Sequence, residues 1–382
     1  MKASTQVVRA GRADAAHNIV NPPIYRASTV LFENYAQIFE IRQSKERRLY
    51  YGRNGTPTTW CLADAIAELE GGAGCALFPS GLAAIATSIL AFVRPGDSIL
   101  VADSVYGATR IFCDSHLPKI QVKTIYYPPA VANIENYFDD TTRLIFVESP
   151  GSQTFEMQDL PAIAKAARAR GIKILADNTW ASPVFFRPLD FGADVSIQAA
   201  TKYVVGHSDA LAGSVAASKD AWPAIEAAAR HLGQCIGPDE AYLAQRGLRT
   251  LAVRLSRHQE SAMAVARWLE KHPLVTRVLY PPLESSPGHE IWVRDFAGAS
   301  GLFSIVLDEK YKARIALLYD SLKLFGIGAS WGGYESLIYP ADPVRTAEPW
   351  PARGSVVRLH IGLENPRDLI DDLENALSLM RA

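Results

Sequence analysis

Ser196-Ile-Gln-Ala-Ala-Thr-Lys-Tyr-Val-Val-Gly-His-Ser-Asp209 is the stretch on which the fold turns. Its opening residues close an apolar run over 194–198 that reads as a buried strand. Lys202 then enters a turn of small and polar residues, with Tyr-Val-Val behind it. An isolated lysine is usually a solvated surface charge. A lysine delivered by an apolar strand loses its water instead. Desolvation lowers the pKa of the ammonium and frees a neutral amine for Schiff-base chemistry.

Outward from this stretch the same pattern repeats. The runs 98–101, 144–147 and 172–176 are apolar and β-branched, and they lead to Asp103, Glu148 and Asp177. Helical spacing covers 62–70, 82–93 and 161–170, with glycines at 71–72 and 171 as stops. Apolar strands alternating with helices indicate an α/β fold with a mostly parallel central sheet flanked by helices. Such sheets carry their polar chemistry at the carboxyl ends of the strands, where Asp103, Glu148, Asp177 and Lys202 fall. A long helical pattern over 239–272 reads as a bridge. Beyond it, strands at 277–280 and 301–307 with helices at 312–322 and 366–380 suggest a smaller α+β C-terminal domain. Near the start, Asn21-Pro22-Pro23 and weak periodicity read as an extended arm. The expected division is 1–55 for the arm, 56–246 for the α/β domain and 247–382 for the smaller domain.

Bulk properties exclude several classes. Of 382 residues, 39 are Lys or Arg and 40 are Asp or Glu, a net charge of −1 that gives no electrostatic reason to expect nucleic acid or an anionic membrane. No apolar run is long enough to cross a bilayer. The opening Met-Lys-Ala-Ser-Thr-Gln has no apolar signal core, so a cytoplasmic chain is expected. Cys61, Cys75, Cys113 and Cys235 form no Cys-x-x-Cys pair, which argues against a zinc knuckle and for reduced, mostly buried thiols.

Three further segments carry chemistry. Asp177 ends a strand and opens Asp-Asn-Thr-Trp180. It reads either as a turn aspartate or as the partner of a protonated pyridine nitrogen, which keeps such a ring able to accept electrons. Phe78-Pro-Ser-Gly-Leu-Ala-Ala84 places small residues between a strand and an apolar helix. That suits a phosphate cradle of backbone N–H groups, and a tight strand–helix turn equally well. Arg358, inside Val356-Val-Arg-Leu-His-Ile-Gly-Leu-Glu364, is either a clamp for a substrate carboxylate or half of an internal ion pair. No Gly-x-Gly-x-x-Gly follows a strand and there is no P-loop, so a nicotinamide dehydrogenase is excluded.

Taken in order, several motifs resemble the Cys/Met-metabolism family of pyridoxal-phosphate enzymes over nearly the whole chain. They are Tyr51-Gly-Arg-Asn-Gly-Thr-Pro-Thr58, Glu70-Gly-Gly-Ala-Gly-Cys75, Glu148-Ser-Pro150, Asp177-Asn-Thr-Trp180, Gln198-Ala-Ala-Thr-Lys-Tyr203, Gly206-His-Ser-Asp209, Arg246-Gly-Leu-Arg-Thr250, Ser330-Trp-Gly-Gly-Tyr-Glu-Ser-Leu337 and Arg358-Leu-His-Ile-Gly-Leu-Glu364. The resemblance implies the type I fold of pyridoxal-phosphate transferases, aminotransferase-like. It also implies roles. Lys202 carries pyridoxal 5'-phosphate and is catalytic, and Asp177 pairs with the ring nitrogen. Gly81 and Leu82, aided by Thr201, bind the phosphate. Tyr106 stacks on the ring and assists catalysis. Tyr51 and Arg53 reach the site of a neighbouring subunit in a homotetramer built from two dimers. Arg358, Ser330, Trp331 and Tyr51 meet the substrate.

Within the family the motifs are nearest to bacterial cystathionine β-lyases, chiefly through Trp331, where γ-acting relatives carry leucine. The implied substrate is a small thioether amino acid. L-Cystathionine would yield homocysteine, pyruvate and ammonia by β-elimination. Asn54 stands where the β-lyase pattern has a second arginine, so other cysteine S-conjugates stay open as substrates. The rivals are a γ-acting lyase, synthase or sulfhydrylase of the same family and, more remotely, a regulatory protein on the same fold.

Overall fold

A computed structural model describes residues 1–12, 19–44 and 46–381. Residues 13–18 and 45 of the expected arm, and residue 382 of the expected C-terminal domain, lie outside the described residues.

The larger sheet contains β1 (Gly74–Phe78), β2 (Ser98–Ala102), β3 (Lys123–Tyr127), β4 (Thr142–Glu148), β5 (Lys173–Asp177), β6 (Val195–Gln198) and β7 (Gly213–Ala217). Their spatial order is β1-β7-β6-β5-β4-β2-β3. Strands β2 to β6 are parallel. Strand β7 runs against both its neighbours, so β1 points the same way as the parallel set. Continuous apolar strands fit because both faces are covered. Alternation sends Ile99, Val101, Phe146 and Leu175 to the face shared with helices Gly81–Leu90 and Trp222–His231, and Leu100, Ile145 and Ile174 to the face shared with helix Leu160–Ala169.

The second sheet is smaller: β8 (Val275–Leu279), β9 (Leu302–Leu307), β10 (Gly326–Ile327), β11 (Leu337–Ala341) and β12 (Val356–His360), in the order β10-β11-β12-β9-β8. It is antiparallel except at the β10–β11 pair. Helix Pro366–Arg381 buries Leu369, Leu373, Ala376 and Leu377 against the same core.

Three segments read from the sequence take a different form in the structure. The stretch read as one helix over 239–272 is two, Pro238–Leu248 and Leu251–Leu269. The Gly247 carbonyl is taken by the N–H and hydroxyl of Thr250 and by Arg254 Nη2. Those bonds turn the chain there. The helix read over 312–322 is a 3-10 turn, Glu309–Arg314, followed by a short α-helix, Ile315–Ser321. The segment read as an extended arm holds helices Ala3–Arg9 and Tyr35–Gln43, with irregular chain from 19 to 34. Helix Ala3–Arg9 is too short to display a period, yet it buries Val7, and Ala10 beyond it, beside Leu62, Ile66 and Leu248. Arg249 Nη1 fixes it by donating to the carbonyls of Val7, Val8 and Ala10.

Helix Pro57–Glu70 ends on Gly71, whose φ of 74° is the left-handed conformation of a helix C-terminus. Glu70 itself is wholly buried. Its Oε1 accepts from Gln198 Nε2 at 2.9 Å. Burial pushes this carboxyl up to about 7 from its ordinary 4.5. The native state therefore favours the protonated form. The resulting stabilisation is full below about pH 4.5 and is lost as pH rises through about 7. Glu70→Gln, which cannot ionise, should gain on the wild type by about 3 kcal/mol at pH 8 relative to pH 4. Urea midpoints at the two pH values check this, and parallel shifts would contradict it.

Candidate active site

The parallel strands deliver their polar residues to one edge. Asp177 is the last residue of β5 and Glu148 the last of β4, and the two are register partners. Lys202 follows β6 in a turn closed by Lys202 N–H to the Ala199 carbonyl. Tyr106 follows β2 at the entrance of helix Gly107–Ser115. β1 feeds Ser80-Gly81-Leu82 into helix Gly81–Leu90 at the same edge. A Cβ on Gly81 would stand 2.5 Å from Ala199 Cβ, so only glycine lets that helix start lie against the Lys202 turn. Ser80 Oγ accepts the Ala83 N–H. The Gly81 and Leu82 N–H groups belong to the first turn, where the intrahelical ladder has no acceptor for them.

The second sheet closes the site from the other side. Lys202 Nζ donates to Ser330 Oγ at 2.6 Å. The amine also lies 5.4 Å from the centre of the Trp331 ring. Gly332 has φ of 87°, and a Cβ there would lie 2.9 Å from Lys202 Cα, so this loop packs directly onto the lysine backbone. Its N–H meets His360 Nε2 at 3.2 Å. Arg358, on β12, donates through Nη2 to the carbonyls of Ala329 at 2.8 Å and Ser330 at 3.2 Å. It makes no ion pair among the described residues, which removes that reading of Arg358. A cavity of about 750 Å³ borders the site at Thr201, Ser330 and Trp331 and extends away from it between Ser208, Leu211 and Glu240.

Burial sets the electrostatics. It lowers the Lys202 amine to about 8, with the Arg358 charge adding to the effect. It raises the Asp177 carboxyl, against two bonds that favour the anion: Oδ1 accepts the Thr179 N–H at 2.9 Å and the Thr179 hydroxyl at 2.5 Å. Asp177 Oδ2 takes no hydrogen bond among the described residues. Thr179 Oγ1 in turn accepts the Ala199 N–H at 2.9 Å, tying the Asp177 turn to the Lys202 turn. Burial holds the Glu148 carboxyl well above its usual range, reinforced by the nearby Asp177 charge.

Not every residue singled out from the sequence gathers here. Arg53 donates to the Arg230 carbonyl at 3.2 Å and lines a separate cavity of about 670 Å³ with Arg42, Arg47, Arg48 and Trp222. Tyr51, 43% exposed, bridges to Thr29. The Thr201 hydroxyl exchanges bonds with the N–H and carbonyl of Ala212. Asp103 sits at a strand end as expected, but it is engaged by Arg110 at 2.6 Å and by the Thr346 and Ala347 N–H groups, so it anchors a loop of the second sheet. The close approach of Gly332 and the Glu148–Tyr106 bond had no signal in the sequence beyond the motifs that contain them. Competitive amine labelling against pH, read by peptide mass, should give Lys202 an apparent pKa of about 8, and Arg358→Ala should raise it. Labelling that titrates like an ordinary lysine would contradict this environment.

The Cys/Met metabolism PLP-dependent enzyme family matches residues 4–378. The chain is 46% identical to cystathionine beta-lyase MetC of Escherichia coli (strain K12), over 98% of this chain and 97% of the relative. It is also 46% identical to the cystathionine beta-lyase of Salmonella typhimurium, over 97% and 96%. Among solved structures, cystathionine gamma synthase from Xanthomonas oryzae pv. oryzae superposes with a TM-score of 0.90 at 34% identity, covering 100% of this chain and 99% of that one. The chain belongs to the Cys/Met metabolism PLP-dependent enzymes.

Proposed function

We propose that this chain is a cystathionine β-lyase, cleaving the Cβ–S bond of L-cystathionine with uptake of water to give homocysteine, pyruvate and ammonia. The observation that carries this is the desolvated Lys202 amine facing Ser330 and Trp331 at the edge that holds Asp177, in a chain 46% identical to enzymes of that name. The γ-synthase neighbour is more distant in sequence, at 34%.

The residues present fit pyridoxal phosphate. Lys202 offers an amine whose neutral form is accessible near pH 8. Asp177 keeps Oδ2 for a protonated ring nitrogen. Gly81 and Leu82 present first-turn N–H groups to a phosphate, with Thr201 beside them. When bound, the cofactor supplies an electron sink for the charge left at the substrate Cα.

The chain's own residues do the rest. Lys202 Nζ takes the Cα proton and returns a proton to the departing sulfur. Ser330 Oγ aims that amine. Tyr106, exposed at the same strand edge, would stack on the bound cofactor and assist. Arg358, with carbonyls as its partners, clamps the substrate α-carboxylate in a fork of two bonds. Trp331 walls the channel for the thioether chain and favours loss of the β-substituent. Tyr51 and Arg53 lie away from Lys202 of their own chain, which supports their use by a neighbouring subunit in a homotetramer of two dimers. The arm, the α/β domain and the smaller domain divide near residues 55 and 246. No helix among the described residues is long and apolar enough to cross a membrane. We place the enzyme in the cytoplasm, with no nucleic-acid partner.

Purified, cofactor-loaded protein given L-cystathionine should release pyruvate and homocysteine. Release of 2-oxobutyrate and cysteine would contradict the β-lyase reading. Lys202→Ala should lower turnover at least about a thousandfold, and retained pyruvate release would overturn the role of Lys202.

A further inference from the structure

Tyr106 is held in place through its main chain. Its ring has no aromatic partner among the described residues, and 48% of the residue is exposed. Its side chain caps nothing at the start of helix Gly107–Ser115. Its N–H, by contrast, donates to Glu148 Oε2 at 2.7 Å. Its carbonyl accepts the Arg110 N–H at 3.0 Å. Upstream, the turn is fixed at Asp103, which holds Arg110 and the 346–347 backbone. The turn that carries Tyr106 is therefore suspended between two acids on neighbouring strands, and Glu148 grips it at Tyr106 itself.

We propose that Glu148 is a positioning residue: through the Tyr106 N–H it sets the Tyr106 ring over the cofactor site and so sets the affinity for pyridoxal phosphate. This rests on the reading above in which Tyr106 stacks on that cofactor. A second feature fits. Burial and the adjacent Asp177 charge push the Glu148 carboxyl well above its usual range, in the direction of a neutral acceptor, which a glutamine reproduces. The acid matters here as a carbonyl-like acceptor at a fixed reach, and its charge is dispensable.

The test is a set of dissociation constants for pyridoxal phosphate, measured by absorbance on cofactor-free protein. Glu148→Asp withdraws the acceptor by one methylene and should weaken binding about tenfold. Glu148→Gln keeps the acceptor and should stay within about twofold. Tyr106→Ala removes the ring and should weaken binding at least as much as Glu148→Asp. The double variant Glu148→Asp/Tyr106→Ala should bind no more weakly than Tyr106→Ala alone, because the acid acts through the ring. A general structural defect would instead add its loss on both backgrounds, and that additivity would overturn the proposal. So would a tenfold loss in Glu148→Gln, which stays decisive should Glu148→Asp fail to fold. If Tyr106→Ala binds as the wild type does, the stacking reading falls and takes this inference with it. If Tyr106→Ala weakens binding while Glu148→Asp does not, this inference alone falls.

Discussion

The hydrogen bond from Lys202 Nζ to Ser330 Oγ, 2.6 Å long, joins the two sheets of the molecule across the site. A half-buried ammonium ordinarily demands a carboxylate partner. Here the amine is given a hydroxyl, an indole face and a guanidinium neighbour instead. Burial and the Arg358 charge disfavour the ammonium, and no anion among the described residues pairs with it to rescue it. The rest of the site keeps these terms in place. Gly332 lets the Ser330 loop close onto the lysine backbone, His360 holds the Gly332 N–H, and Thr179 couples the Asp177 turn to the Lys202 turn.

Similar positions in the sheet serve different ends. Asp103, Glu148 and Asp177 all stand at carboxyl ends of parallel strands. Asp103 is saturated by Arg110 and the 346–347 backbone, and Arg345 adds bonds to the Asp103 carbonyl and to Glu156. That cluster fastens a loop of the second sheet to the first. Asp177 leaves one carboxylate oxygen without a hydrogen bond among the described residues, and Glu148 spends one on the Tyr106 N–H. Partner saturation separates the acid that anchors the loop from those that face the site.

What was legible in the sequence follows from this physics. Lys202, Asp177 and Arg358 stood out because each is a charge at or inside an apolar run, a placement that burial makes costly without a purpose. Parallel strands β2, β4, β5 and β6 were legible for the same reason, as uninterrupted apolar runs, whereas β3, Lys-Thr-Ile-Tyr-Tyr on the sheet edge, was not read. Strand β7, Gly-Ser-Val-Ala-Ala, carries too little bulk to announce itself, and β10 is only two residues long. The break at Arg249–Thr250 depends on Arg254 reaching back to Gly247, a tertiary event with no local signature. The absence of an ion pair at Arg358 had no local signature, since it depends on which groups the folded chain brings to the guanidinium.

The central claim is that one desolvated amine, on Lys202, is the cofactor's attachment point. The direct measurement is borohydride reduction of the pyridoxal-phosphate-loaded protein followed by peptide mass mapping. The account predicts a single stoichiometric phosphopyridoxyl label on the peptide containing Lys202. Label on another lysine, or spread over surface lysines with Lys202 unmodified, would contradict it.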